Sequence, residues 1–280
     1  MPSTMVMTLT PESIEQFRSS SIGKGQSENT AKAYSTDLRM LLLWIEKEFG
    51  GTIVDMETAF EVMGARWLNA TRKEASPKTT GRRLTSLRAY ARWSGFPSLL
   101  QEYSPPKPGK PVPHPIHEGI EGIEAMIDNC VNYKQRAMVA LCGFAGLRLG
   151  EVLACRTSWL DTHSMQMTVR GKGDKERTVP ISKRCWELMA EAYAAAMCGN
   201  GYLVDYEDRS ARKAITSLGR KAQLSRPISS HDLRSTFATH LLDVGVNLRV
   251  VQELLGHANV TTTEVYTGVT MASMTSAVEF

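Results

Sequence analysis

The chain lacks any apolar run long enough to cross a bilayer. Its longest, from Ala137 to Leu147, is interrupted by Gly143 and falls short of the ~18 residues that a span requires. It also lacks a Cys-x-x-Cys pair and any cysteine–histidine cluster at zinc-ligand spacing. Cys130, Cys142, Cys155, Cys185 and Cys198 are scattered and odd in number, so they read as buried apolar thiols in a reducing compartment. No charged segment followed by a hydrophobic one opens the chain, which argues against a secretion signal. The Gly-x-x-x-x-Gly-Lys-Ser/Thr phosphate loop is missing too. One-sided charge is absent: 33 basic residues face 29 acidic ones, a net of +4. Bulk charge alone therefore does not identify a polyanionic partner. These absences point to a cytoplasmic protein with no membrane span, no zinc-type cysteine cluster and no nucleotide-binding phosphate loop.

What is present suits two modest domains: 280 residues, 42% of them apolar. Six of the twelve prolines fall between Pro105 and Pro115, among Lys107, Gly109 and Lys110. Such a stretch favours an extended, semi-rigid spacer. The division expected is a helical domain over 1–104, a linker over 105–117, a second domain over 118–270 and a tail over 271–280. In the first domain Thr10-Pro11-Glu12 is a helix start. Ser27 caps a helix carrying Leu38, Leu41, Leu42 and Ile45, which Gly50-Gly51 stops. A further helix spans about Thr80 to Trp93, with Leu84, Leu87, Tyr90 and Ala91 on one arc and Arg82, Arg88 and Arg92 on another. Seven basic residues against one acid lie between Thr71 and Arg92. With Lys78, the arginine arc is a candidate contact for a DNA backbone.

The second part mixes helices with a small antiparallel sheet. Ile120, Ile123, Met126 and Ile127 mark one helix, and Lys134–Ala145 a strongly apolar one. Met165–Arg170 and Arg177–Ile181 read as strands flanking Gly171-Lys172-Gly173-Asp174, a hairpin signal. Helices follow at Lys183–Met197, about Arg209–Ala222, and from a Ser229 or Ser230 cap. Another covers Leu248–Leu255 and ends at Gly256. Thr261-x-x-Glu264 is a capping-box pattern that sets Tyr266 in a short helix. The fold class expected is mainly α with this small sheet.

Cutting a phosphodiester without hydrolysis needs a nucleophile, positive charge on the phosphate and a proton for the departing oxygen. A tyrosine hydroxyl can attack. Arginine suits the phosphate because its planar fork makes paired, permanently charged hydrogen bonds. His231 and Arg234 stand three apart at a helix start, whose partial positive charge adds to theirs. Each piece also has a plainer use. Arg148 can pair with Glu151 one turn on, Lys172 can be a turn lysine, His257 a cap and Tyr266 a packing residue.

Taken together, four stretches resemble the tyrosine recombinases, the phage integrases and Xer-type enzymes. They are Gly146-Leu147-Arg148-Leu149-Gly150-Glu151; Gly171-Lys172-Gly173-Asp174-Lys175-Glu176-Arg177; His231-Asp232-Leu233-Arg234 with Phe237-Ala238-Thr239-His240; and Leu255-Gly256-His257 nine residues before Tyr266. The resemblance implies a core-binding domain and a catalytic domain clamped around duplex DNA. It implies Tyr266 as nucleophile, forming a 3′-phosphotyrosine, with Arg148 and Arg234 clamping the phosphate. Lys172 would protonate the leaving 5′ oxygen, His231 act as acid/base or ligand, His257 hydrogen-bond the phosphate and Glu151 support the site. Neither metal nor ATP is implied. The partner implied is double-stranded DNA, held by a homotetramer on two sites that is a monomer when free, on the nucleoid of a bacterial host. With about a hundred residues before the linker, a phage or mobile-element integrase acting on simple core-type sites is the first expectation. An Xer-type dimer resolvase is second. A dead DNA-binding scaffold and a type IB topoisomerase relative are more remote.

Overall fold

The computed structural model describes residues 8–51, 54–56, 59–107, 109, 114–171, 176–256 and 269–280. The chain divides into two compact units, Met1–Pro111 and Val112–Phe280.

The first unit is built on four helices: α1 (Pro11–Gly23), α2 (Glu28–Phe49), α3 (Phe60–Ala70) and α4 (Pro77–Ser94). A short antiparallel pair, β1 (Thr8–Leu9) with β2 (Val54–Asp55), closes it. The caps follow the sequence reading: Thr10 and Ser27 accept the backbone N–H groups of Ser13 and Thr30, and Gly50 ends α2 left-handed. α4 begins one turn earlier than expected because Ser76-Pro77 supplies a cap and a first-turn proline. α3 was not anticipated. Its apolar residues Phe60, Trp67 and Leu68 are buried with Leu84, Leu87 and Tyr90 of α4. Phe17, Phe60, Tyr90 and Trp93 stack at centroid distances of 5.5–6.0 Å. The Tyr90 hydroxyl is satisfied by Ser13 Oγ at 2.5 Å and the Thr8 carbonyl at 3.2 Å.

The arginine arc assigned to DNA is only partly a free face. Arg82 lies 2.5 Å from the fully buried carboxylate of Asp37, which also accepts the Ser86 hydroxyl. Arg88 donates to the carbonyls of Leu100, Gln101 and Tyr103 at 2.7–3.0 Å. Lys78 and Arg92 are exposed, and no partner is recorded for either among the described residues. Arg88→Ala is therefore expected to lower stability by about 2 kcal/mol, from charged hydrogen bonds lost to three carbonyls. Loss of Lys78 or Arg92 is expected to leave stability alone and to shallow the salt dependence of DNA binding by about one unit per phosphate contact. Chemical denaturation and a salt titration separate the two effects.

The second unit comprises α5 (Gly119–Asp128), α6 (Tyr133–Gly143), α7 (Leu149–Ala154), α8 (Lys183–Met197), α9 (Asp208–Lys221), α10 (Ser230–Asp243), α11 (Leu248–Leu255) and α12 (Met271–Val278), with strands β3 (Leu160–Asp161), β4 (Gln166–Arg170) and β5 (Glu176–Pro180). The strands form one antiparallel sheet in the order β3-β4-β5, with Arg170 opposite Glu176. α6 is the central element: Ala137 to Gly143 are buried without interruption, as expected of a helix that is apolar all round. Cys142, Cys155 and Cys185 lie in this core. Cys130 is only half-buried and Cys198 is exposed, which corrects the expectation of five buried thiols. β3 and the six-residue α7 were not anticipated, being too short to show a period. α12, expected only as a tail, packs against α11 and β5 of its own unit, with Val278 buried. Phe280 sits 4.2 Å from the His240 ring. Among the described residues no helix is long and apolar enough to cross a membrane.

Candidate active site

Four separated stretches of the second unit meet around Glu151, two of them through its carboxylate and the others through backbone carbonyls. Gly146 takes a left-handed φ of +64° and turns the chain after α6. A Cβ there would stand 2.7 Å from Phe237, so only glycine permits the approach. That turn delivers Arg148 to the N-terminus of α7, where Glu151 accepts both its backbone N–H, at 2.8 Å, and its guanidinium, at 2.9 Å. Arg177 of β5 makes a two-pronged pair with the same carboxylate, 2.9 Å on each prong. Arg234, in the second turn of α10, donates to the carbonyls of Gly146 and Leu255. Arg148 also reaches the Gly256 carbonyl at 3.3 Å, and Arg177 the Leu254 carbonyl at 3.2 Å. Three successive carbonyls at the end of α11 thus each receive one guanidinium.

The electrostatics follow from this crowding. Burial opposes the charge on Glu151, but the bonds from Arg177 and Arg148 outweigh it and hold the carboxyl at about 2. Arg234 is pushed the other way: burial first, then Arg148, lower its guanidinium to about 9. Two guanidiniums bind the one carboxylate and a third, Arg234, is bonded only to carbonyls, so the cluster is left with uncompensated positive charge that an anion would relieve. Around it opens a groove of about 370 Å³ lined by Arg148, Gly150, Arg170, Arg212, Ser230 and His231. Arg148 is 41% exposed there, leaving several of its five donors free. His231 is exposed in the first turn of α10, a helix whose start is fixed by a capping box. Asp232 accepts the Ser229 backbone N–H at 2.7 Å and its hydroxyl at 2.6 Å, and Arg226 braces that carboxylate at 2.8 Å.

The structure brings Arg148, Glu151, His231 and Arg234 into one neighbourhood. Lys172, His257 and Tyr266 lie outside the described residues. Arg177 and Arg226 escaped the sequence reading. Arg177 carried a usable signal: it shares its parity along β5 with the buried Val179, so an arginine occupied an inward-facing position. Among the described residues, no three His, Cys, Asp or Glu side chains gather where a metal ion would need them.

The low position of Glu151 has a consequence for folding. Its carboxyl ionises near 4.5 when unperturbed and at about 2 in the fold. The depressed value stabilises the fold fully above about pH 4.5 and progressively less as pH falls toward 2, by roughly 3 kcal/mol in all. Denaturation midpoints of wild type and Glu151→Gln should therefore converge on acidification through this window. A gap that stays constant from pH 6 to pH 3 would contradict the assignment.

Comparison with known proteins gives the family. The family model described as phage integrase family matches residues 118–273, and the phage integrase N-terminal SAM-like domain matches 14–94. The chain is 31% identical to tyrosine recombinase XerA of Thermococcus kodakarensis, over 96% of this chain and 94% of that one. It is 30% identical to XerD of Pseudomonas putida, over 90% of each. Among solved structures it resembles the integrase of mycobacterium phage Brujita, at TM-score 0.50 and 26% identity over 95% of this chain and 91% of the other. It shares the fold of the XerH recombinase bound to a palindromic difH substrate, at TM-score 0.69 and 22% identity over 89% and 78%. The chain belongs to the phage integrase family, the tyrosine-type site-specific recombinases.

Proposed function

We propose that this protein cuts and rejoins duplex DNA at simple core-type sites through a covalent 3′-phosphotyrosine on Tyr266. The observation that carries the reading is the under-compensated cluster of Arg148, Arg177 and Arg234 around Glu151, opening on a groove that also holds His231. Arg148 and Arg234 grip the non-bridging oxygens of the scissile phosphate, where charge builds as the phosphorus becomes five-coordinate. The Tyr266 oxygen forms the new bond to phosphorus as the bond to the 5′ oxygen breaks. The phenolic proton passes to His231 or water, and Lys172 protonates the 5′ oxygen. His257 adds a hydrogen bond to the phosphate, and Glu151 orients Arg148. One phosphoester replaces another, so a free 5′ hydroxyl reverses the step without ATP.

Lys78 and Arg92, together with Arg82 and Arg88 as far as their internal partners allow, hold the DNA backbone through the first unit. The working form is a homotetramer on two sites, in the cytoplasm and on the nucleoid. Integration at attachment sites is one physiological reading. Resolution of dimers is the second, favoured by near-full-length likeness to XerA and XerD. Plasmids bearing paired or single sites separate them by product.

The test is a pool of nicked duplexes with randomised arms, from which DNA still bound to protein after denaturation is recovered and sequenced. Enrichment of one site, with the adduct mapping to the peptide that contains Tyr266, is the expected outcome. No adduct from any duplex, or one mapped elsewhere, contradicts the reading.

A further inference from the structure

Arg177 differs from Arg148 in having a partner within the fold at every guanidinium nitrogen. Nη1 and Nη2 are bound to Glu151 and Nε to the Leu254 carbonyl. Its side chain is 15% exposed against 41% for Arg148, so an incoming anion reaches Arg148 more readily than Arg177. The turn at Gly256 closes over it: a methyl at that position would stand 2.8 Å from Cδ and 3.0 Å from Nε of Arg177, and φ there is +61°. One side chain thus joins three things. It sits on the strand that leaves the hairpin bearing Lys172, it grips the carboxylate that holds Arg148, and it anchors the end of α11, ten residues before Tyr266.

We propose that Arg177 is a positioning residue for strand cleavage, fixing Arg148 through Glu151 and holding the end of α11 at a set distance from that arginine. The inference rests on the strand-transfer reading above. Arg177 touches no reacting atom. Its fork leaves the Glu151 carboxylate one orientation, and that carboxylate then leaves the Arg148 guanidinium one orientation. Displacing such a group by about an ångström costs of order 10² in rate. Lysine keeps the charge but not the planar fork.

The experiment is single-turnover cleavage of the duplex recovered above by wild type, Arg177→Lys, Arg177→Gln and Gly256→Ala, at a temperature where circular dichroism shows each folded. Adduct formation is expected to fall about 10²-fold in Arg177→Gln and Gly256→Ala and about tenfold in Arg177→Lys, with duplex Kd moving less than about threefold. The acid limb of the rate should also move to higher pH in Arg177→Gln than in wild type, because Glu151 loses the partner that keeps it ionised. If Arg177→Gln does not fold, Gly256→Ala, which keeps every charge, carries the comparison. Variants equal to wild type in rate and pH profile overturn the positioning role.

A wild type that forms no adduct overturns the strand-transfer reading instead, and inorganic phosphate then decides about Arg177. Phosphate should raise the Tm of wild type through Arg148 and Arg234 and raise that of Arg177→Gln, or of Gly256→Ala in its place, by less. Equal shifts overturn the proposal.

Discussion

Tyr266→Phe is expected to abolish the protein–DNA adduct while leaving duplex Kd within about threefold of wild type. Phenylalanine keeps the ring and removes only the oxygen that would attack, so binding and chemistry separate cleanly. The measurement is a denaturing gel of wild type and Tyr266→Phe on the same nicked duplex, beside a gel shift. An adduct that persists in the variant would name another nucleophile.

The second large effect is expected at Arg234. Arg234→Met should slow cleavage by about 10²–10³, the usual loss when one prearranged donor to a developing charge is removed. Its stability should move in an unusual direction. Burial lowers the guanidinium to about 9 from an ordinary 12.5, so the fold disfavours this charge by a few kcal/mol at neutral pH. Because the folded value is depressed for a base, that penalty stands at neutral pH and fades only as pH rises past about 9. Methionine removes the penalty but leaves the carbonyls of Gly146 and Leu255 without donors, at about 1–3 kcal/mol. The two nearly offset, and Tm is expected at or above the wild-type value while cleavage collapses. Calorimetry with single-turnover kinetics checks both halves. A wild-type rate would remove Arg234 from the site. A large fall in Tm would show that its bonds outweigh its burial.

Where tertiary contacts agreed with local preference, helix boundaries were legible from the amino acids alone. Ser27 and Gly50 bracket α2, and α8 and α11 run over the residues their periodicity marks. The elements that escaped include α7, β3 and the β1–β2 pair, too short to show a period, but also the eleven-residue α3 and the helix α12 in the tail. The site was legible in part. Spacing singled out Arg148, His231 and Arg234, because a pattern of residue types survives in one dimension. It missed that Arg88 caps carbonyls of its own unit and that Arg177 joins Arg148 on Glu151, since the partners of Arg88 and Arg177 lie 12–26 residues away along the chain.

The sequence by itself determined which chemistry this protein has the parts for and which helices carry them, because caps, periodicity and residue types are local properties. Only the tertiary structure decided which arginines face outward and which are consumed within. A guanidinium's role depends on the carbonyls and carboxylates that folding places beside it, and neither those partners nor their burial is written in the order of residues around it.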